Sequence, residues 1–100
     1  QRTEWNVRDS DGTVIFTIAA QLTGGSALTR KLALLHGKPC LHLAQCRDAE
    51  TAPAQLRDFI RRERVNVLNV AGPRLSTEPA AAAFATQVLE ALCAHRRSPG

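Results

Sequence analysis

Apolar residues along the chain alternate between short continuous runs and helical stripes, which is the pattern of an α/β domain. The runs are rich in β-branched and aromatic residues, as expected for strands that are buried on both faces of a sheet. They predict three strands, near 13–18, 39–43 and 65–70. Because helices separate the runs, we expect mainly parallel strands joined by right-handed crossovers, in a three-layer α/β fold with flanking helices.

The helices are predicted from apolar residues spaced three or four positions apart. Gly37 and Pro39 end the first long helix, and a short helix over Glu4 to Arg8 is expected to anchor Trp5 and Val7 in the core. The predicted buried stripes of the three long helices are Leu28, Leu32 and Leu35; Leu56, Phe59 and Ile60; and Phe84, Val88 and Leu92.

A glycine turn joins the first strand to the first long helix. Backbone N–H groups of Gly25, Ser26 and Ala27, with the hydroxyls of Ser26 and Thr29, can cradle a phosphate at the helix N-terminus. The candidate ligand-binding residues of this turn are Gly24, Gly25, Ser26 and Thr29. The alternative interpretation is an ordinary tight βα turn, and on spacing alone neither is favoured. The turn has neither the three spaced glycines of a dinucleotide site nor the Gly-Lys-Ser/Thr of a nucleotide triphosphatase loop.

A second turn with hydrogen-bond donors follows the third strand, at Gly72, Arg74 and Ser76. Asn69 lies just before it, near the carboxyl end of the strand, where open α/β sheets bind ligands. An asparagine there can equally tie down the following turn. Since the carboxyl ends of parallel strands share one edge, the two turns together predict an anion-binding edge.

A third set of candidate ligand-binding residues lies in the polar lead-in, at Arg8, Asp9 and Asp11. Aspartates before a turn more often cap or bend the backbone, and we favour that reading. A cluster of histidines and cysteines is the candidate metal site, and its members are His36, Cys40, His42 and Cys46. Because these residues lack the closely paired spacing of a zinc site, no metal is expected.

Composition sets the remaining expectations. The 100 residues are 44% hydrophobic and 22% charged, which indicates one globular domain over residues 1–95 with a flexible tail at 96–100. A net charge of +4 raises the question of nucleic acid, but a solvated helix face explains the arginines better when only 4% of residues are aromatic. Three unpaired cysteines, no basic-then-apolar leader and no long apolar run predict a cytoplasmic protein without a membrane partner.

Several motifs, in order along the chain, resemble the putative molybdenum carrier family. The similarity covers most of residues 2 to 92 and includes Ser76 and Pro79. The matching stretches are Arg2 to Thr13, Thr23-Gly24-Gly25-Ser26, Gly37-Lys38-Pro39 and Val67 to Arg74.

This resemblance implies a Rossmann-like domain, related to nucleotide-binding carriers and to lysine decarboxylase-like hydrolases. It implies a carrier of molybdenum cofactor (molybdopterin) that binds a phosphate-bearing pterin or nucleotide-like ligand through the strand-end turns, with Arg74 as a charge partner. The alternative is a nucleotide phosphoribohydrolase. The stretch Leu28 to Lys31 lacks the catalytic glutamate of those hydrolases, so we expect binding without catalysis.

The family also begins with a strand and a Gly-Gly-Gln-Thr-Gly loop that this chain, which starts at Gln1, does not show. We therefore expect a truncated domain whose 13–18 strand has an open edge. Because an open strand edge recruits other chains, we expect either that another chain or segment covers this edge or that the chain self-associates as a homo-oligomer.

Overall fold

The structure, a computed structural model, describes residues 2–22, 24–71 and 79–97. Helices and strands alternate through most of this part of the chain, and the last helix runs two residues into the expected tail. In order, the elements are α1 (Arg2–Asp9), β1 (Gly12–Thr17), α2 (Gly24–Leu35), β2 (Cys40–Ala44), α3 (Gln45–Asp48), α4 (Ala52–Arg62), β3 (Leu68–Ala71) and α5 (Pro79–Arg97).

The three strands form one parallel sheet in the order β2-β1-β3. Thr13 pairs with Cys40 on one side and with Asn69 on the other. This confirms the predicted parallel α/β fold with flanking helices. The third strand begins at Leu68 and not near 65, because the N–H groups of Asn66 and Val67 donate to the Asp11 carboxylate and stay outside the ladder.

The expectation that β1 has an open edge is wrong. β1 is the central strand and is hydrogen-bonded to β2 and β3, so the edges of the described sheet are β2 and β3. The chain returns across β1 after β2 and covers the side that was expected to be open. Self-association remains a prediction, without the support of an open β1 edge.

One face of the sheet, here called the α4/α5 face, carries most of the apolar core. Val14 and Phe16 of β1 point into it, with Leu43 of β2. The Phe16 and Phe84 rings meet edge to face, with centroids 5.6 Å apart and planes at 86°. The stripes predicted for these two helices are confirmed: Leu56, Phe59, Phe84, Val88 and Leu92 are buried, and Ile60 packs against them.

The other face, here called the α1/α2 face, is more polar. Val7, Ile15 and Ala33 are buried there, and so are the hydroxyl-bearing Thr13 and Thr29. Small and polar residues at i and i+4 of α2, Thr29 and Ala33, therefore turn toward the sheet.

The predicted stripe of α2 is consequently wrong. Leu28 is 40% exposed and Leu35 is 72% exposed, while Leu32 is only half-buried. Trp5 was expected in the core together with Val7, but it is 55% exposed, whereas Val7 is fully buried. The side of α2 that packs against the polar strand face carries the small residues Thr29 and Ala33. The larger side chains of Leu28 and Leu35 therefore lie on the exposed sides of the helix.

Backbone turns end α2 and α4 in the same way. Gly37 has φ +65°, and the N–H of Lys38 donates to the carbonyl of Ala33, as in a Schellman motif. The predicted stop at Gly37 is thus confirmed. Arg64 takes the equivalent place after α4 with φ 54°, a conformation that favours glycine, and the Val65 N–H donates to the carbonyl of Ile60. None of the described helices is long and apolar enough to cross a membrane.

Candidate functional site

The path of the chain brings the carboxyl ends of β1 and β3 side by side. From β1 the chain passes through α2 to β2 on one side, and then returns through α4 to β3 on the other side of β1. The helices that follow these neighbouring parallel strands, α2 after β1 and α5 after β3, lie on opposite faces of the sheet. In open α/β sheets this switch point forms a crevice at the carboxyl edge, where ligands bind.

The predicted glycine turn lies at this edge. Gly24 is the first residue of α2, is exposed, and has φ +54°. No atom of the described residues would lie within 4 Å of a Cβ added at Gly24, so that part of the chain leaves the backbone there open to an approaching group. Gly25 follows within the helix and Ser26 is half-buried, whereas Thr29 is buried against the sheet. The structure thus brings Gly24, Gly25 and Ser26 to the edge and places Thr29 beneath it.

The second predicted turn follows β3, which ends at Ala71 beside Ile15. Gly72, Arg74 and Ser76 lie outside the described residues.

Asn69 lies inside β3, opposite Thr13 and two residues before the strand ends. Its Nδ2 donates to Thr13 Oγ1 at 3.3 Å. Asn69 therefore has a partner on the central strand, on the α1/α2 face of the sheet. A ligand that reached Asn69 would have to enter from that face.

The lead-in residues lie at the opposite, amino edge. Arg8 and Asp9 form an exposed ion pair with 3.1 Å between Nε and Oδ1. Asp11 Oδ2 accepts hydrogen bonds from the N–H groups of Val67 (2.8 Å) and Asn66 (2.9 Å), which hold the Asp11 pKa below its ordinary value. Asp11 thereby fastens the start of β3 to the start of β1. The structure does not bring these three residues to the glycine turn.

His42, which the sequence analysis considered only as a metal ligand, contacts the end of β1. Its Nε2 lies 2.6 Å from Thr17 Oγ1, and Thr17 Oγ1 lies 2.6 Å from the carbonyl oxygen of Ala19. A carbonyl only accepts, so the single hydroxyl hydrogen of Thr17 goes to Ala19 and the His42 Nε2–H donates to Thr17. This fixes the tautomer and leaves Nδ1 as the acceptor.

The surroundings of His42 disfavour its charged form. Partial burial lowers the His42 pKa most, and the nearby charges of Arg47 and Arg30 lower it further, while Asp48 opposes them. The spacing in sequence, 25 residues between Thr17 and His42, gave no signal of this contact. It follows from the pairing of β1 with β2.

A buried carboxylate secures the connection after β2. Asp48 accepts hydrogen bonds from Arg47, from the Ala44 N–H at 2.9 Å and from Gln55 Nε2 at 3.2 Å. These bonds, with Arg47 first, lower the Asp48 pKa to about 2 although burial acts against them. The Cys46 N–H donates to the carbonyl of Ile18 at 3.0 Å, which joins this connection to the glycine turn. The carboxyl edge of β1 and β2 is therefore held by direct hydrogen bonds.

The described residues contain no group of three or more His, Cys, Asp or Glu side chains that could hold a metal ion. Burial raises the pKa of the Cys40 thiol, which keeps it protonated and a poor metal ligand at neutral pH.

Comparisons with known proteins place the chain in context. Residues 1–93 match the model of the circularly permutated YpsA SLOG family. The crystal structure of a putative molybdenum carrier protein from Syntrophus aciditrophicus SB is similar, with 40% sequence identity and a TM-score of 0.85. The alignment covers 91% of this chain and 58% of that protein, so the chain spans little more than half of its length. No curated protein shows significant similarity to the chain.

Proposed function

We propose that this chain, which belongs to the circularly permutated YpsA SLOG family, is a carrier that binds a phosphate-bearing pterin or nucleotide-like ligand, molybdenum cofactor in particular, at the carboxyl edge of β1 and β3. The observation that carries the proposal is the adjacency of β1 and β3 in a parallel sheet, with the helices that follow them, α2 and α5, on opposite faces. The name of the similar protein, a putative molybdenum carrier, supports the choice of ligand class.

The residues at this edge fit the phosphate end of such a ligand. The first N–H groups of α2 have no partner within the helix and carry the positive end of its dipole. Gly24 leaves the backbone open with respect to the described residues, and Ser26, with its hydroxyl, follows two residues later in α2. We propose Gly24, Gly25 and Ser26 as the phosphate cradle, with Gly72, Arg74 and Ser76 contributing from the neighbouring connection. The bound cofactor would supply the molybdenum-binding dithiolene, and the protein its orientation.

The first test uses two matched glycines at the two ends of α2. Gly24 and Gly37 both have positive φ and open space at Cβ. Gly24→Ala and Gly37→Ala should therefore lose similar stability, about 1 kcal/mol each. Only Gly24→Ala adds a methyl group at the proposed cradle, so it should weaken binding of AMP, used as a phosphate-bearing probe, by tenfold or more. Equal AMP affinities of the two variants would contradict the cradle.

The second test separates carrier from hydrolase. Mass spectrometry of molecules that copurify with the protein should show an intact phosphate-bearing pterin or nucleotide. Incubation with AMP should release no adenine, because the stretch Leu28 to Lys31 carries no glutamate. Adenine release above the buffer control would replace the carrier with the phosphoribohydrolase alternative.

A further inference from the structure

His42 is held in a defined orientation beside the connection that follows β1. Thr17 is the last residue of β1, and its hydroxyl accepts from His42 Nε2 and donates to Ala19, both at 2.6 Å. The imidazole is thereby fixed to the segment that leads into the glycine turn. Its second nitrogen, Nδ1, is left with a lone pair that can take up a proton or a hydrogen bond.

Two arginines from different elements act on this ring. Arg30 comes from α2 and Arg47 from α3, and the positive charge of each disfavours protonation of His42. Arg47 is neutralised by Asp48, with 2.9 Å between Nη2 and Oδ2. Arg30 is exposed, and no carboxylate pairs with it among the residues that the structure describes. The corner between α2, β2 and α3 therefore holds a cation, Arg30, for which the described part of the chain provides no counter-ion.

The groups on β1, α2 and α3 that act on His42 leave Arg30 as the charge without a described partner. β1 contributes the neutral Thr17, α2 contributes Arg30, and α3 contributes the Arg47–Asp48 pair. Asp48 is the one carboxylate of the described residues that acts on the ring, and it is already engaged by Arg47, Ala44 and Gln55. His42 lies opposite Ile15 in the sheet, on the α1/α2 face, so an anion beside the ring would be within the field of Arg30 and next to a histidine able to become cationic.

We propose that Arg30 and His42 form a binding site for a doubly charged tetrahedral oxyanion, and that protonation of His42 strengthens the binding. The site rests on the proposed function in one respect, because it would give the carrier a second anion contact beside the glycine turn. The chemistry fits either the phosphate group of the ligand or free molybdate. In both cases the anion accepts hydrogen bonds from the guanidinium and from Nδ1–H of the protonated ring.

The sign of the pH dependence follows from the tautomer. Nε2 donates to Thr17 whether the ring is neutral or protonated, so proton uptake at Nδ1 adds a charge without breaking this contact. Affinity for a dianion should therefore rise as pH falls through the His42 pKa, which lies below its ordinary value of 6.5. One added charge near the anion predicts roughly five- to tenfold tighter binding below the His42 pKa than above it.

The test titrates the wild-type protein with sulfate, which stays doubly charged between pH 5 and 8. NMR of the His42 ring nitrogens reports the contact directly, and calorimetry gives the affinity. We expect sulfate to move the Nδ1 resonance and to raise the pKa of the ring. A ring that does not respond to sulfate at pH 5 overturns the proposal without any variant.

Three variants locate the effect. Arg30→Gln should weaken sulfate binding by about fivefold at every pH, and His42→Gln, which keeps an N–H donor for Thr17, should remove the pH dependence. The control variant is Arg62→Gln. Arg62 is an exposed arginine at the end of α4 that pairs with Glu63, so its replacement should leave the sulfate affinity and its pH dependence unchanged. Wild-type affinity in Arg30→Gln, or an unaltered pH dependence in His42→Gln, overturns the site.

Two further arms identify the source of the anion and separate this site from the carrier proposal. Molybdate and AMP are titrated singly and in competition: displacement of molybdate by AMP assigns the corner to the phosphate of the ligand, and independent binding assigns it to molybdate. If Gly24→Ala loses AMP while the Arg30 and His42 variants bind all anions normally, the carrier proposal stands and this one fails. If only the corner binds anions, this proposal stands and the carrier proposal fails.

Discussion

The two faces of the sheet are built on different principles. The α4/α5 face is a closed apolar core, in which Phe16 and Phe84 meet edge to face and Leu56 is fully buried. The α1/α2 face buries hydroxyl groups at Thr13 and Thr29, while large apolar side chains such as Leu35 remain exposed. Successive residues of β1 alternate between the two faces, so one strand serves both.

The difference shows where stability and chemistry reside. Apolar burial contributes free energy without direction, whereas the Thr13–Asn69 and Thr17–His42 contacts contribute little free energy but fix side-chain positions. We expect substitutions on the α4/α5 face to act mainly on stability. Substitutions on the α1/α2 face and at the carboxyl edge should act mainly on binding.

The largest effect is expected for Phe84→Ala. Its ring is buried against Phe16, and truncation should lower the free energy of unfolding by about 3–5 kcal/mol, measured by urea denaturation. Leu35→Ala removes an apolar side chain of α2 that is 72% exposed. This variant should change the free energy of unfolding by less than about 0.5 kcal/mol. Comparable losses in the two variants would mean that α2 is covered in solution.

Gly12→Ala should come next. The added Cβ would lie 2.9 Å from Val65 Cγ2 and 3.3 Å from the Phe59 ring, so the start of β1 could no longer pack against α4 without a shift. We expect a loss of about 1–3 kcal/mol in the free energy of unfolding. If Gly12→Ala is as stable as the wild type, this close contact relaxes readily. In that case, adding Val65→Ala to the Gly12→Ala protein should not restore any stability.

Asp48→Asn should show a smaller effect that depends on pH. The Asp48 pKa is lowered to about 2 in the folded protein, so its contribution is present above the unfolded pKa near 4 and is lost as pH falls toward about 2. Arg47 is half exposed, and after solvent screening we expect a difference of about 1 kcal/mol between wild type and variant at pH 7.

The corresponding measurement is urea denaturation at several pH values. The difference between wild type and Asp48→Asn should vanish below about pH 2. Asp9→Asn, which breaks an exposed ion pair on α1, is the control and should change stability by less than about 0.5 kcal/mol. A pH-independent Asp48 effect would assign the loss to geometry and not to charge.

Apart from the control variants, the smallest effect on stability is expected for Asn69→Ala. The variant loses one 3.3 Å hydrogen bond to Thr13, worth about 0.5–1 kcal/mol. If Asn69 serves only the sheet, AMP affinity should stay at the wild-type value. A loss of affinity larger than the loss of stability would instead return Asn69 to the ligand site.

Much of the fold could be predicted from local patterns. The runs of apolar residues located all three strands, and the stop at Gly37 and the stripes of α4 and α5 were recognised because each is set by residues near in sequence. The glycine turn was placed at a helix N-terminus for the same reason. The stripe of α2 was not predicted correctly, because Leu28 and Leu35 have the right spacing but the strand face opposite is polar.

What the sequence alone determined is therefore the succession of elements and their turns, since φ at Gly24 and Gly37 and the periodicity of α4 and α5 are local properties. Only the tertiary structure decided that β1 is central, that Asp11 fastens β3 at the amino edge, and that His42 meets Thr17. These contacts join residues 25 to 56 positions apart. Pairing of distant strands fixes them, and no periodicity within a single segment encodes which strand lies beside which.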